Sequence, residues 1–284
     1  MPNKVAIVTG ANRGIGFAVV RRLLHEFHGD VYLTARNTEK GQAACKKLQQ
    51  EGLNPLFHEL DITQPASIRM LQEFIIEKYG GVDVLVNNAA VLFDKDTKAP
   101  FMRQVEQTIE TNFKGTLNMC RIFLPLMRPH SRLIIMSSET GKLKYLGEAI
   151  RSKIDLNTIG LYDLDKLVDQ YTTAVKAGAL KKYGWPEQPS QVVYTFQNLM
   201  ANALARELKD DPRRNVLINA CCPGWTMTDS TKSYLDGNGY LGDVRPRTPD
   251  EAAADVVWLA ILQPGTPKPN AELVQFRKTI DFIS

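Results

Sequence analysis

Little in this 284-residue chain suits metal or disulfide chemistry. Its four cysteines are Cys45, Cys120 and the adjacent pair Cys221-Cys222, with no CxxC spacing that would hold zinc or run disulfide exchange. Free thiols in a reducing compartment are expected. The four histidines, His25, His28, His58 and His130, stand in no nucleophile-elbow context, which leaves hydrolysis by an activated serine without support. No apolar run approaches the length of a membrane span, and a strand-like run opens at Lys4 with no room for a signal peptide. A soluble, cytoplasmic protein with no membrane partner is expected. The formal net charge of +4 is spread along the chain without a block of about five like charges, so no nucleic-acid partner is expected either. One further absence is local: no lysine occurs from residue 183 to residue 208.

What is present is an ordinary globular composition, 44% apolar and 23% charged, in a strong alternating pattern. "KVAIVTG" (4–10) is a short β-rich run closing on glycine, and "GIGFAVVRRLLHEF" repeats apolar residues at helical spacing. Strands at 30–35, 54–60, 82–88 and 132–138 then alternate with helices at 38–50, 65–79 and 102–127. After a break come a helix at 190–209, a strand at 215–220, a loop from Pro223 through "DGNGYLGD", a helix at 249–262 and a last strand at 271–276. Strands almost continuously apolar between amphipathic helices imply a parallel sheet covered on both faces. The expected fold is α/β and doubly wound: a mostly parallel, Rossmann-type sheet of about seven strands. Residues 1–284 read as one domain, with a largely helical insertion at about 143–189.

"TGANRGIG" places Gly10, Gly14 and Gly16 between the first strand and the first helix, with Asn12, Arg13 and Ile15 in the same turn. There a pyrophosphate can sit against backbone N–H groups and the positive end of a helix, and a Cβ would hold it away. The second strand ends "LTARN", so Arg36 stands where an acidic residue would accept from a ribose 2′-hydroxyl. An arginine there suits a 2′-phosphate, with Arg13 and Lys40 adding charge, and NADP(H) is expected over NAD(H). Asp61 and Ile62 follow the third strand; Asp61 either accepts from an adenine amine or caps the next helix.

Together these motifs resemble the short-chain dehydrogenase/reductase superfamily: "TGANRGIG", "NNAA" (87–90, with Asn88 and Ala89), Asn112 in "TNFKGT", Ser138 in "SSETG", and "PGW" with Pro223 and Gly224. "CCPGW" followed by Thr228-Asp229, the "GWP" at 184–186 and the long insertion are similar to its monomeric NADPH-dependent carbonyl reductase branch. The resemblance implies NADP(H) as cofactor, a small-molecule carbonyl substrate and a monomer, because in that branch the insertion covers helices through which relatives form tetramers. It also implies roles. A serine (Ser138) orients the carbonyl, a tyrosine donates the proton, a lysine holds the nicotinamide ribose and lowers the tyrosine pKa, and Asn112 supports a proton relay. Backbone after Pro223, with Thr228, meets the nicotinamide amide.

The helix "VVYTFQNLMANALAREL" (192–208) departs from that pattern and aligns in two ways. In the first register Tyr194 is the proton donor, Gln197 replaces a serine and Asn198 replaces the lysine at the cofactor ribose. Counting from Trp185 instead puts Ser190 at the tyrosine position and Tyr194 at the lysine position. Side chains along a helix fix register more tightly than loop length does, which favours the first. Neither supplies an ammonium. A neutral amide hydrogen-bonds a hydroxyl but lacks the Coulomb contribution that lowers a phenol's pKa. Two functions follow: an attenuated NADPH-dependent carbonyl reductase, or an inactive NADP(H)-binding sensor or interaction protein.

Overall fold

In the computed structural model, which describes residues 3–235, 239, 241 and 243–284, eight strands form one sheet in the order β3-β2-β1-β4-β5-β6-β7-β8. These are β1 (Val5–Val8), β2 (Asp30–Ala35), β3 (Leu56–Glu59), β4 (Val82–Asn87), β5 (Met127–Met136), β6 (Leu217–Cys222), β7 (Leu273–Gln275) and β8 (Lys278–Ile280). All neighbours pair parallel except β7 and β8. Residues 236–238, 240 and 242 of the "DGNGYLGD" loop lie outside the described residues.

The strand pleat divides the core in two. On β1, Val5 and Ile7 join an apolar cluster with Leu85, Leu133 and Phe113, while Ala6 and Val8 join a second with Val86, Ile134 and Val256. Every β1 residue is fully buried, as a strand covered on both faces requires. The helices α1 (Gly14–Glu26), α2 (Thr38–Gln50) and α10 (Pro249–Ala260) cover one face; α3 (Pro65–Tyr79), α5 (Thr116–Phe123) and α9 (Pro189–Glu207) cover the other. Strand order reverses between β1 and β4, and the crevice at that switch point is where such sheets take ligands.

The doubly wound, mostly parallel sheet is as expected; one element is corrected and one detail is added. The helix expected at 102–127 is α4 (Phe101–Thr108), then a wide π turn over Ile109–Gly115, then α5, and β5 begins at Met127. The widening coincides with Asn112, whose side chain is drawn to the Val91 backbone, and with Gly115, where a Cβ would lie 2.9 Å from Ile62. The sheet also has an eighth strand. Phe276 and Arg277 turn the chain at φ 52° and 60°, left-handed values that hairpin turns ordinarily assign to Asn-Gly, so no local signal announced it.

The segment at 143–189 holds α6 (Glu148–Arg151), α7 (Leu161–Lys176) and α8 (Leu180–Tyr183). Its apolar side chains join the sheet's own cluster, with Tyr171 edge-on to Trp185 at 5.5 Å and Trp185 edge-on to Phe196 of α9 at 6.2 Å. Arg206 of α9 donates to the carbonyls of Leu156 and Ile159. The segment thus buttresses α9, the helix that carries Tyr194.

Candidate active site

At the switch point a cavity of about 680 Å³ runs from the glycine turn to the segments after β5 and β6. Gly10 and Gly14 adopt φ of 62° and 60°, which L side chains rarely do. A Cβ on Gly10 would lie 2.7 Å from Ala89 Cα, and one on Gly16 would lie 2.9 Å from Ala11 Cα. The turn is held from β4: Asn88 Nδ2 donates to the carbonyls of Thr9 (2.9 Å) and Gly10 (3.2 Å). Helix α1 starts without a side-chain cap or an acidic residue in its first turn, so its N–H groups face the cavity unpaired by carboxylate. Arg13, Arg36 and Lys40 line the same end and enter no ion pair among the described residues. Three free cations, an uncapped helix start and a cradle that any Cβ would fill fit a dinucleotide bearing an extra phosphate. Asn12, Ile15, Asp61, Ile62 and Ala89 also line this end. Asp61 is partly committed, since its Oδ1 accepts from the N–H and hydroxyl of Thr63 (2.9 and 2.8 Å).

At the far end Ser138 lines the cavity, its Oγ accepting from the N–H and hydroxyl of Thr140 (3.2 and 3.0 Å). Ser137 turns toward α9 and donates to Asn198 Oδ1 at 2.7 Å. Gly141 lets that segment touch α9: a Cβ there would lie 2.5 Å from the Tyr194 carbonyl carbon. Pro223, Gly224 and Thr228 close the cavity from the β6 side, with Thr228 near Gly14. The Tyr194 hydroxyl reaches the cavity and has no hydrogen-bond partner among the described residues. Burial first, then the neighbouring Cys222 and Tyr234, push its pKa up to about 12.

A sequence model of the short chain dehydrogenase family matches residues 4–151. Carbonyl reductase [NADPH] 1 of Rattus norvegicus is 40% identical over 277 residues, covering 96% of each chain, and carbonyl reductase [NADPH] 3 of Homo sapiens is 41% identical over 276 residues, again 96% of each. The chain belongs to the short-chain dehydrogenase family. The fold agrees: salutaridine reductase from Papaver somniferum superposes with a TM-score of 0.82 at 24% identity, over 95% of this chain and 99% of that one.

Within this short-chain dehydrogenase, two expected site residues do not reach the cavity. Asn198 is 1% exposed; its Oδ1 accepts from Ser137, and its Nδ2 donates to the carbonyl of Gly141 at 3.1 Å. The same Nδ2 lies 3.5 Å from the carbonyl of Ser138, and the residue does not line the cavity, so it is not placed to bind cofactor and that expectation is corrected. Asn112, also 1% exposed, lies outside the lining too: its side chain clamps the N–H and carbonyl of Val91 at 2.7 and 2.9 Å. Helix α9 presents Ser190, Tyr194 and Gln197 to the cavity instead. At about 100° per residue these three fall within an arc of roughly 60°, whereas 198 lies about 40° beyond Tyr194. Sequence reasoning quoted Trp225 only within "PGW" and passed over Tyr234; both line the cavity and meet edge-to-face at 5.8 Å. Their loop has no periodicity that would have marked them.

Proposed function

We propose that this chain is a cytoplasmic, monomeric, NADPH-dependent oxidoreductase that reduces the carbonyl of small aldehydes, ketones or quinones. The observation that carries the reading is one cavity with unpaired cations and a bare helix start at one end and two hydroxyls, on Ser138 and Tyr194, at the other. The carbonyl reductases that are about 40% identical support the same chemistry. Arg36, with Arg13 and Lys40, would hold the 2′-phosphate, and the glycine turn the pyrophosphate. A bound reduced nicotinamide supplies the hydride. Ser138 orients the carbonyl oxygen, and Tyr194 holds the proton that this oxygen takes up.

Among the residues of α9 no ammonium lies beside Tyr194, so the phenolate left by proton donation is poorly stabilised. Each pKa unit of missing depression costs about 1.4 kcal/mol. Reduction starts from the neutral phenol and proceeds at an attenuated rate, while alcohol oxidation, which needs the phenolate, suffers more. The same lack favours a second reading, an NADP(H)-binding protein without turnover. NADPH consumption across a panel of quinones, aldehydes and dicarbonyls tests both. The reductase reading expects turnover that falls about 100-fold or more in Tyr194→Phe. A shift of NADPH fluorescence without turnover on any substrate supports the second and refutes the first.

A further inference from the structure

One buried acceptor in the cavity is left without a donor. Gln197 is 3% exposed, and its Nε2 donates to the main-chain carbonyl of Asn112 at 2.8 Å. Reversing the amide would set its oxygen against that carbonyl oxygen, so the bond fixes the orientation. Gln197 lines the cavity, and its Oε1 is buried without a hydrogen-bond partner among the described residues. An unsatisfied buried acceptor is costly, and a ligand that donates to it removes the cost on binding. Three residues earlier on the same helix face, the Tyr194 hydroxyl is also unpartnered. Both residues line the same cavity as Ser138 and the glycine turn, and Gln197 is tied through the Asn112 carbonyl to the residue that clamps Val91.

We propose that Gln197 is a cofactor-binding residue whose Oε1 accepts from a hydroxyl of the nicotinamide-side ribose, the contact that Asn198 cannot make. The proposal rests on the NADP(H) reading and adds an assignment to it. A neutral acceptor there positions the ribose without supplying any charge to Tyr194.

Binding separates this assignment from a purely structural one. NADPH and 2′,5′-ADP, which carries the phosphorylated adenosine but no second ribose, are titrated against wild type and Gln197→Met. Gln197→Met is expected to weaken NADPH about 3- to 10-fold, the range of one neutral hydrogen bond, and to leave 2′,5′-ADP unchanged. Equal losses for both probes, or none for either, overturn the proposal. So does unchanged NADPH affinity with a raised KM for hydroxyl-bearing carbonyls, which assigns the acceptor to substrate. If Gln197→Met does not fold, Gln197→Asn, which withdraws the amide by one methylene, gives the same comparison. Wild-type protein that binds neither probe refutes the cofactor reading itself, and the proposal with it.

Discussion

Tyr194 carries a proton that its surroundings help it to keep. Desolvation disfavours the phenolate, and the nearby Cys222 and Tyr234 add to the effect, so the hydroxyl stays protonated up to about pH 12. The raised pKa means that the neutral form prevails at every lower pH. Reduction draws on this form, so its rate should show no loss through Tyr194 ionisation between about pH 6 and pH 10. Spectroscopic titration of wild type against Tyr194→Phe checks this: no phenolate band assignable to Tyr194 should appear in that window, and one titrating near neutrality would contradict the account. At this scale the glycine turn and Arg36 were legible, because positive φ and a strand-end charge are local properties of sequence. Asn198 was not, because its amide is consumed by Ser137 and Gly141, about sixty residues away in the chain.

Helix α9 decides the chemistry by the arc it turns to the cavity. Twelve of its nineteen residues are buried, so its apolar pattern does not mark one face, and two alignments suited it. Residues 190 and 194 both line the cavity whereas 198 does not, which is the pairing of the second alignment rather than the favoured first; Tyr194 is nonetheless the phenol that α9 brings to the cavity. Two variants should therefore behave oppositely. Asn198→Lys buries an ammonium without a carboxylate partner and removes the nearer acceptor of the Ser137 hydroxyl, leaving it the Tyr194 carbonyl at 3.2 Å; chemical denaturation should show a loss of roughly 3 kcal/mol or more with no gain in rate. Ser190→Tyr with Tyr194→Lys places a phenol one turn from an ammonium on the cavity face. Its phenol pKa should fall, and kcat for reduction should rise about tenfold or more above wild type in steady-state assays. A rate gain in Asn198→Lys instead would show that 194 and 198 are the working pair.

The molecule as a whole joins the sheet and the segment at 143–189 through one apolar cluster. Trp185 and Tyr171 from the segment reach Phe196, and Phe196 meets Phe113 edge-on at 5.8 Å. A segment that shares its core with α9 should not unfold separately. Thermal unfolding followed by near- and far-ultraviolet circular dichroism should give coincident single transitions, and sedimentation should give the mass of one chain. An early loss of near-ultraviolet signal alone would mark the segment as an independent unit. A dimer or tetramer would contradict the monomer reading.

The sequence by itself determined the order of strands and helices, the glycine turn with its cationic partners, and the absence of lysine from α9, since periodicity, backbone freedom and side-chain chemistry are written residue by residue. Only the tertiary structure decided that the helix through Asn112 widens, that Phe276 and Arg277 turn back into an eighth strand, and that Ser190, Tyr194 and Gln197 rather than Asn198 face the cavity. The physical reason is common to all three. Each depends on a hydrogen-bond partner or packing surface distant in the chain, and a buried helix repeats its geometry every 3.6 residues without recording which side will meet the ligand.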